Sequence, residues 1–346
     1  MIESLKGSLP EWLSNLGPYP DIVFLSKVSL YRNIEGYRFS SCAPDKEKTE
    51  ILASLREGIK TLQDFDNVFP LVELSDFEKE FLFERHFIPE SLIQNGIHSA
   101  VAPNSAQNNI LLINADEHLQ ISSISSGLKI QEPYSECDQI DDILNTEFEF
   151  SYDKKLGFLT SSPKRVGTGL EISVFVYLPA VVIIGVVSDL MEDLEKNNYS
   201  MDGTYLDGGG VMGSLFCIQN EFTLGVSEEN IIEKTNIQIN NVIQKEIDAR
   251  EYLMKNARYE TEDKIWRSYG IITNARFLAL GDFLNLSSAV RLGVGLGLIK
   301  NLSILDLNRL TILSQPGHLY LENGEYLDLR EENILRAEFI RKKTGG

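Results

Sequence analysis

The chain has 346 residues, 43% of them apolar and 24% charged, and its 51 Asp and Glu against 32 Lys and Arg give a net charge of −19. That is enough sequence for one large globular domain or two ordinary ones. The acidic balance speaks against nucleic acid or an anionic membrane as a partner, because both need a basic face.

Taken in chain order, the opening MIESLKGSLPEWL has no basic segment leading into an apolar stretch, so no signal peptide is expected. Pro10, Pro18 and Pro20 make the first twenty residues an irregular lead-in. Ile51, Leu52, Leu55, Ile59 and Leu62 recur at helical spacing, which predicts a helix within 45–65, and the pattern continues through 77–85 and 89–95. The period then changes. An apolar run at 109–114 reads as a strand. Phe148, Phe150 and Tyr152 alternate with polar neighbours like a half-buried strand, turning at 153–155 into a hairpin partner at 156–160. Segment 172–187 is the one stretch that could pass for a membrane span, but it contains Pro179 and its 16 residues fall short of the ~20 that a bilayer requires. It reads as a buried strand, a turn and a second buried element.

From Ser227, an N-cap candidate followed by Glu228 and Glu229, the chain becomes helical. Ile239, Ile243 and Ile247 line a helix reaching about residue 258, and further helices are expected at 262–279, 284–299 and 331–343. The pattern gives an α+β body followed by a helical C-terminal part. Cys42, Cys137 and Cys217 are scattered, which fits a reducing cytoplasm better than a disulfide framework or a zinc site. His86, His98, His118 and His318 lack metal-ligand spacing, so no metal site is expected. The clusters at 208–210 and 293–297 lack the strand-before, helix-after context of a dinucleotide fingerprint.

Several segments read together resemble the phosphagen (guanidino) kinase family. FLSKVSLYRNIEGYRF (24–39) is similar to its opening strand, NADEHLQ (114–120) to its Asn-Glu-Glu-Asp-His-Leu-Arg loop, and GFLTSSPKRVGTGLEISVFVYLPA (157–180) to its longest motif. DGTYLDGGG (202–210) and NEFTLGVSEENII (220–232) follow in order. RSYGIITNAR (267–276), SSAVRLGVGLGLI (287–299) and ILRAEFIR (334–341) are similar to the bacterial protein arginine kinase branch. The resemblance spans about 20–343 and implies a phosphagen-kinase-like domain over 1–255, an antiparallel sheet flanked by helices. A helical dimerisation domain over 256–346 is implied to follow.

The family wraps ATP phosphates in arginines and aligns the acceptor guanidinium with two carboxylates, so catalysis there is positioning plus electrostatics. The arginine positions fall here on Lys27, Ser29, Gln120, Glu171 and Asp202, so five positive charges give way to a net −1. One unit charge about 5 Å from a phosphate charge is worth roughly 3 kcal/mol at an effective dielectric of 20, and MgATP in the family pose should be repelled. His86 is a further nucleotide-side position. The carboxylate positions fall on Asp116, with Glu117 beside it, and on Asp207; the loop cysteine becomes Ser162, and Lys164 and Arg165 add positive charge nearby. The branch's phosphoarginine-docking motif, Arg-Asp-x-x-Arg-Ala, falls on Glu332, Asn333 and Arg336 with Ala337.

These departures imply a protein arginine kinase-like pseudoenzyme with no bound cofactor, an interaction or scaffold protein in arginine-phosphorylation or Clp protease pathways. The alternatives are a divergent active protein arginine kinase using MgATP and a metabolite guanidino kinase, the latter opposed by the C-terminal helices. The resemblance also implies a cytoplasmic homodimer centred on Met254, Ile271, Leu278 and 287–299, a small zinc-binding activator protein and a Clp ATPase as partners, and neither nucleic acid nor membrane.

Overall fold

The computed structural model describes residues 2–207, 210–324 and 327–345, with the side chains of residues 206, 207 and 210 also left outside the description. In chain order the elements are α1 (Glu3–Lys6), β1 (Val23–Arg32), α2 (Asp45–Ile59), β2 (Phe69–Pro70), α3 (Asp76–Glu84) and α4 (Ser91–Asn95). Then come β3 (Ala100–Pro103), β4 (Asn109–Ile113), β5 (Leu119–Ser126), α5 (Gln131–Glu147), the short hairpin β6 (Tyr152–Asp153) and β7 (Gly157–Phe158), and β8 (Leu170–Tyr177). After α6 (Pro179–Ile184), α7 (Val187–Lys196) and β9 (Tyr199–Gly203), the pair β10 (Leu206–Asp207) and β11 (Gly210–Val211) leads to β12 (Leu215–Asn220). The rest is helical: α8 (Glu228–Asn256), α9 (Arg258–Asn274), α10 (Leu280–Gly295), α11 (Ile304–Leu313), α12 (Pro316–Asn323) and α13 (Leu329–Thr344). Among the described residues no helix is long and apolar enough to cross a membrane.

The main sheet runs β2-β3-β4-β5-β1-β8-β12-β9, every neighbouring pair antiparallel. Strict alternation decides its two faces. In β1 and β8, Val28, Leu30, Leu170, Ile172 and Val174 point into a core closed by Ile51 and Leu55 of α2 and Cys137 and Leu144 of α5. Their alternates Lys27, Ser29, Tyr31, Glu171 and Ser173 point the other way. Arg32 lies on the helix side, where its guanidinium meets Asp141 of α5 at 2.7 Å and stacks 3.6 Å from the Phe158 ring.

Three local readings need correction. The alternation at 148–152 is not a strand: α5 runs to Glu147, Phe148 closes it, Phe150 forms a lone bridge with Ile34, and only Tyr152–Asp153 pairs with the hairpin return. Pro179 is not a turn but the first residue of α6, whose N-terminal N–H groups at Ala180 and Val181 donate to the buried Glu246 carboxylate; the far end of α6 is exposed at Val182 and Ile183. Finally, Leu278 and residues 287–293 are buried within this chain, so they are not available as a dimer centre.

That burial arises because α10 and α11 lie against the sheet's own elements. Arg291, fully buried, stacks 3.9 Å from the Tyr177 ring and donates to Asn308 Oδ1 and Pro20 O. α12 sits against α3 closely enough that a Cβ on Gly317 would fall 2.5 Å from Phe81 N. There the Glu84 carboxylate accepts from the Gly317 and His318 N–H groups and contacts His318 Nδ1 at 2.6 Å. Burial pushes Glu84 up to about 8 against those two hydrogen bonds, while burial and Arg85 hold the His318 imidazole neutral. One apolar core therefore runs from the sheet through α8 to α10, α11 and α13.

Candidate functional site

The polar face of the central strands forms the floor of a cleft. Cross-strand register sets its rows: Tyr31 opposite Gln120, Ser29 between Ser122 and Glu171, Lys27 beside Ser173, and Gln219 beyond Ser173. Ser29 and Ser122 share a 2.8 Å hydrogen bond, and Gln120 Nε2 donates to both hydroxyls. The floor's middle is thus a closed neutral network.

Lys27 reaches sideways, its Nζ donating to the His86 carbonyl at 2.9 Å; burial lowers its pKa, with Glu171 opposing. His86 adopts φ 59° and sets its ring among Trp12, Phe24 and Phe175. Burial, then the nearby Lys27, push it down to about 3, and its buried Nε2 has no hydrogen-bond partner among the described residues.

The charged centre is a four-residue arrangement. Arg165 Nε donates to Glu171 Oε2 at 3.0 Å and Nη1 to Asp116 Oδ2 at 3.0 Å, while its guanidinium lies 3.9 Å from the Tyr31 ring centre. The Tyr31 hydroxyl donates to the other Glu171 oxygen at 2.8 Å. Burial alone would lower the Arg165 pKa, but Tyr31, Glu171 and Asp116 raise it overall. Two cavities meet here. The outer, about 630 Å³, runs past Ser40, Lys48, Asn114 and Ser162; the inner, about 320 Å³, runs past Lys27, His86, Phe175 and Tyr205.

Of the carboxylate positions, Asp116 stands at the lip with its side chain 62% exposed. Glu117 is buried and faces away from the cleft, accepting from Asn33 Nδ2 at 2.7 Å and from the Ser161 N–H and hydroxyl at 2.9 and 2.7 Å. Its geometry is that of a loop anchor, not of a group touching substrate. The Asp207 side chain lies outside the described residues. Asp202, on β9 opposite Cys217, is exposed and lines neither cavity. Lys164 is paired with Glu221.

The docking residues on α13 form a separate group. Arg336 is fully buried and donates to Ser314 O at 2.8 Å, to Leu278 O at 3.2 Å, to Asn333 and to Glu332. Its fork is committed inside the chain, so it is not a free anion contact. Among the described residues no group of three or more His, Cys, Asp or Glu is placed to hold a metal ion.

Sequence reasoning on family positions missed Tyr31, Ser122, Ser173 and Gln219, which complete the floor. The period-two register of β1 and β8 carried the signal for Tyr31 and Ser173: each is two residues from a position already singled out.

Comparison with known proteins agrees with this architecture. Residues 48–249 match the family model "ATP:guanido phosphotransferase, C-terminal catalytic domain", and residues 258–345 match "Protein-arginine kinase McsB C-terminal domain". Over 343 residues the chain is 33% identical to a protein-arginine kinase of Bacillus cereus (strain AH187), covering 98% of this chain and 97% of that one; one from Bacillus anthracis is equally similar. Among solved structures, the duplicated taurocyamine kinase of Schistosoma mansoni with bound transition state analog components superposes at TM-score 0.60 and 21% identity. That match covers 70% of this chain and spans only 36% of that one. Lombricine kinase superposes at 0.57 and 17% identity, over 69% of this chain and 71% of that one.

Proposed function

Because the chain belongs to the ATP:guanido phosphotransferase family, in its protein-arginine kinase branch, we propose that it keeps the family cleft but does not transfer phosphate, acting instead as an interaction protein. The observation that carries this is the balance of charge at the cleft centre. Lys27 and Arg165 stand against Asp116 and Glu171, and Arg165 already spends its charge on both acids. A nucleotide polyphosphate entering there meets no surplus positive charge. Each missing unit contact at about 5 Å forgoes roughly 3 kcal/mol.

Calorimetric titration tests it. The unmodified chain should show no heat with MgADP or MgATP and form no phosphoarginine on an arginine-rich protein. A variant carrying Lys27→Arg, Ser29→Arg, Gln120→Arg, Glu171→Arg and Asp202→Arg should bind MgADP, with Glu171→Arg mattering most because it swings two charge units inside the cleft, whereas Asp202 lines neither cavity.

A second reading, a divergent active protein-arginine kinase, is favoured by one feature: Asp116 keeps a carboxylate at the cleft lip in a chain similar end to end to protein-arginine kinases. Phosphoarginine made by the unmodified chain and abolished by Asp116→Ala would establish it in place of the first. Under either reading, the candidate partners are a small zinc-binding activator protein and a Clp ATPase, with homodimers as the assembly.

A further inference from the structure

The two cavities are not separate features of the surface. Both are lined by Asp116, Arg165, Glu171 and Gln219, so the Arg165 side chain stands in the partition between them. It is no loose surface arginine. Its side chain is 18% exposed, as is that of Glu171. Its backbone is fixed on both sides: Ser161 is held by Glu117, and Thr223 Oγ1 contacts the carbonyls of Lys164 and Val166 at 2.8 Å each. The Gly169 N–H closes onto the Arg165 carbonyl at 3.1 Å.

What surrounds the guanidinium is what recognition of a planar cation needs: carboxylate oxygens on two edges and an aromatic face beneath. The acid of β8 and the arginine of the loop are complementary, and the tyrosine hydroxyl orients the acid by holding its second oxygen. We propose that Asp116, Glu171 and Tyr31 form a guanidinium cradle occupied in cis by Arg165, which divides the cleft and excludes an external guanidinium until the 159–169 loop moves. This rests on the cleft being the functional site, not on the absence of phosphoryl transfer.

A cradle filled from within weakens any competitor's apparent affinity by the reciprocal of the fraction of time that Arg165 is out. Vacating it by substitution removes the penalty. Methylguanidinium chloride, titrated calorimetrically into full-length Arg165→Ala, should therefore bind saturably and roughly tenfold or more tighter than to the unmodified chain. Adding Glu171→Gln to the Arg165→Ala chain should abolish that binding. Arg165→Gln, which keeps a polar stem over Tyr31, serves should the alanine variant not melt cooperatively. In the unmodified chain, the Arg165 Nε proton should exchange with solvent more slowly than that of the exposed Arg330.

Equal binding to the unmodified and vacated chains, binding that survives Glu171→Gln, or no binding to a cooperatively folded vacated chain would each overturn the proposal, as would fast exchange at Arg165 Nε. Phosphoarginine formation by the unmodified chain would overturn the reading of function instead, and would leave this titration to stand or fall alone.

Discussion

The Glu117 carboxylate and the Ser161 backbone N–H lie 2.9 Å apart across a separation of 44 residues, tying the loop before β5 to the loop before β8. Every donor around that carboxylate (Asn33 Nδ2, Ser161 N and Ser161 Oγ) points inward. An amide could accept through one oxygen only and would turn its own N–H toward a donor. Glu117→Gln should therefore cost about 2–4 kcal/mol in urea unfolding. It should also make 159–169 a new site of limited proteolysis. Unchanged stability would show that the anchor is dispensable.

Acid should weaken the fold through His86. Its folded-state pKa, about 3, lies below the ordinary value of 6.5, so the unfolded chain takes up the proton first. Stability from this group is complete above pH 6.5 and is lost as pH falls toward 3. His86→Phe should flatten the stability profile between pH 6 and 4 by up to about 1.4 kcal/mol per pH unit. Parallel profiles for the two proteins would reject the assignment.

The sequence carried much of this architecture in its periodicities. The Ser227 cap and isoleucine spacing locate α8, which begins at Glu228, whereas Glu171 is marked in the sequence only by its family position and its cleft-side placement comes from the register of β8. Two kinds of information were not local. The helix α5 is hidden because its buried face includes Pro133, Cys137 and Asp141, the last paired with Arg32 from a distant strand. The bridge from Arg165 to Asp116 joins residues 49 apart, so two charges that stand out separately in the chain become partners only through the fold. For the same reason, nothing local distinguishes Glu117 from its neighbour Asp116 as a candidate catalytic carboxylate; Asn33 and Ser161 occupy it only in the fold.

Arg336 gives a prediction about α13. Lys at this position cannot reproduce a planar fork serving Ser314, Leu278, Asn333 and Glu332 together. Arg336→Lys should cost about 3 kcal/mol or more and loosen the C-terminal helix, read as trypsin cleavage at 341–343 under native conditions. A variant of unchanged stability and protease resistance would mean that the fork is not structural.

Self-association has a testable address. With 287–293 buried, the exposed large apolar residues of the C-terminal part, among those described, are Tyr259, Trp266 and Ile271 on α9, Phe277 beyond it, and Leu329 and Ile334 on α13. Tyr259 and Trp266, seven apart, share one helix face. We propose a homodimer through this face, so that light scattering gives a dimer mass for the unmodified chain and a monomer mass for Trp266→Glu. Val290→Glu, by contrast, should unfold the chain. A monomeric unmodified chain, or a dimer that survives Trp266→Glu, would refute this interface.

The apolar core shared by the sheet and the C-terminal helices has a practical consequence for anyone wishing to dissect the chain. Val290, Leu307 and Ile340 belong to the same buried cluster as Val28 and Ile172, and Arg291 reaches the Tyr177 ring from the helical side. Cutting after Asn256 would strip apolar cover from β8 and leave the Glu84 carboxylate without Gly317 and His318. The two family-matched segments are therefore not interchangeable cassettes. Heated in a calorimeter, the chain should give one transition, and the work of each segment has to be separated by point substitution, not by scissors.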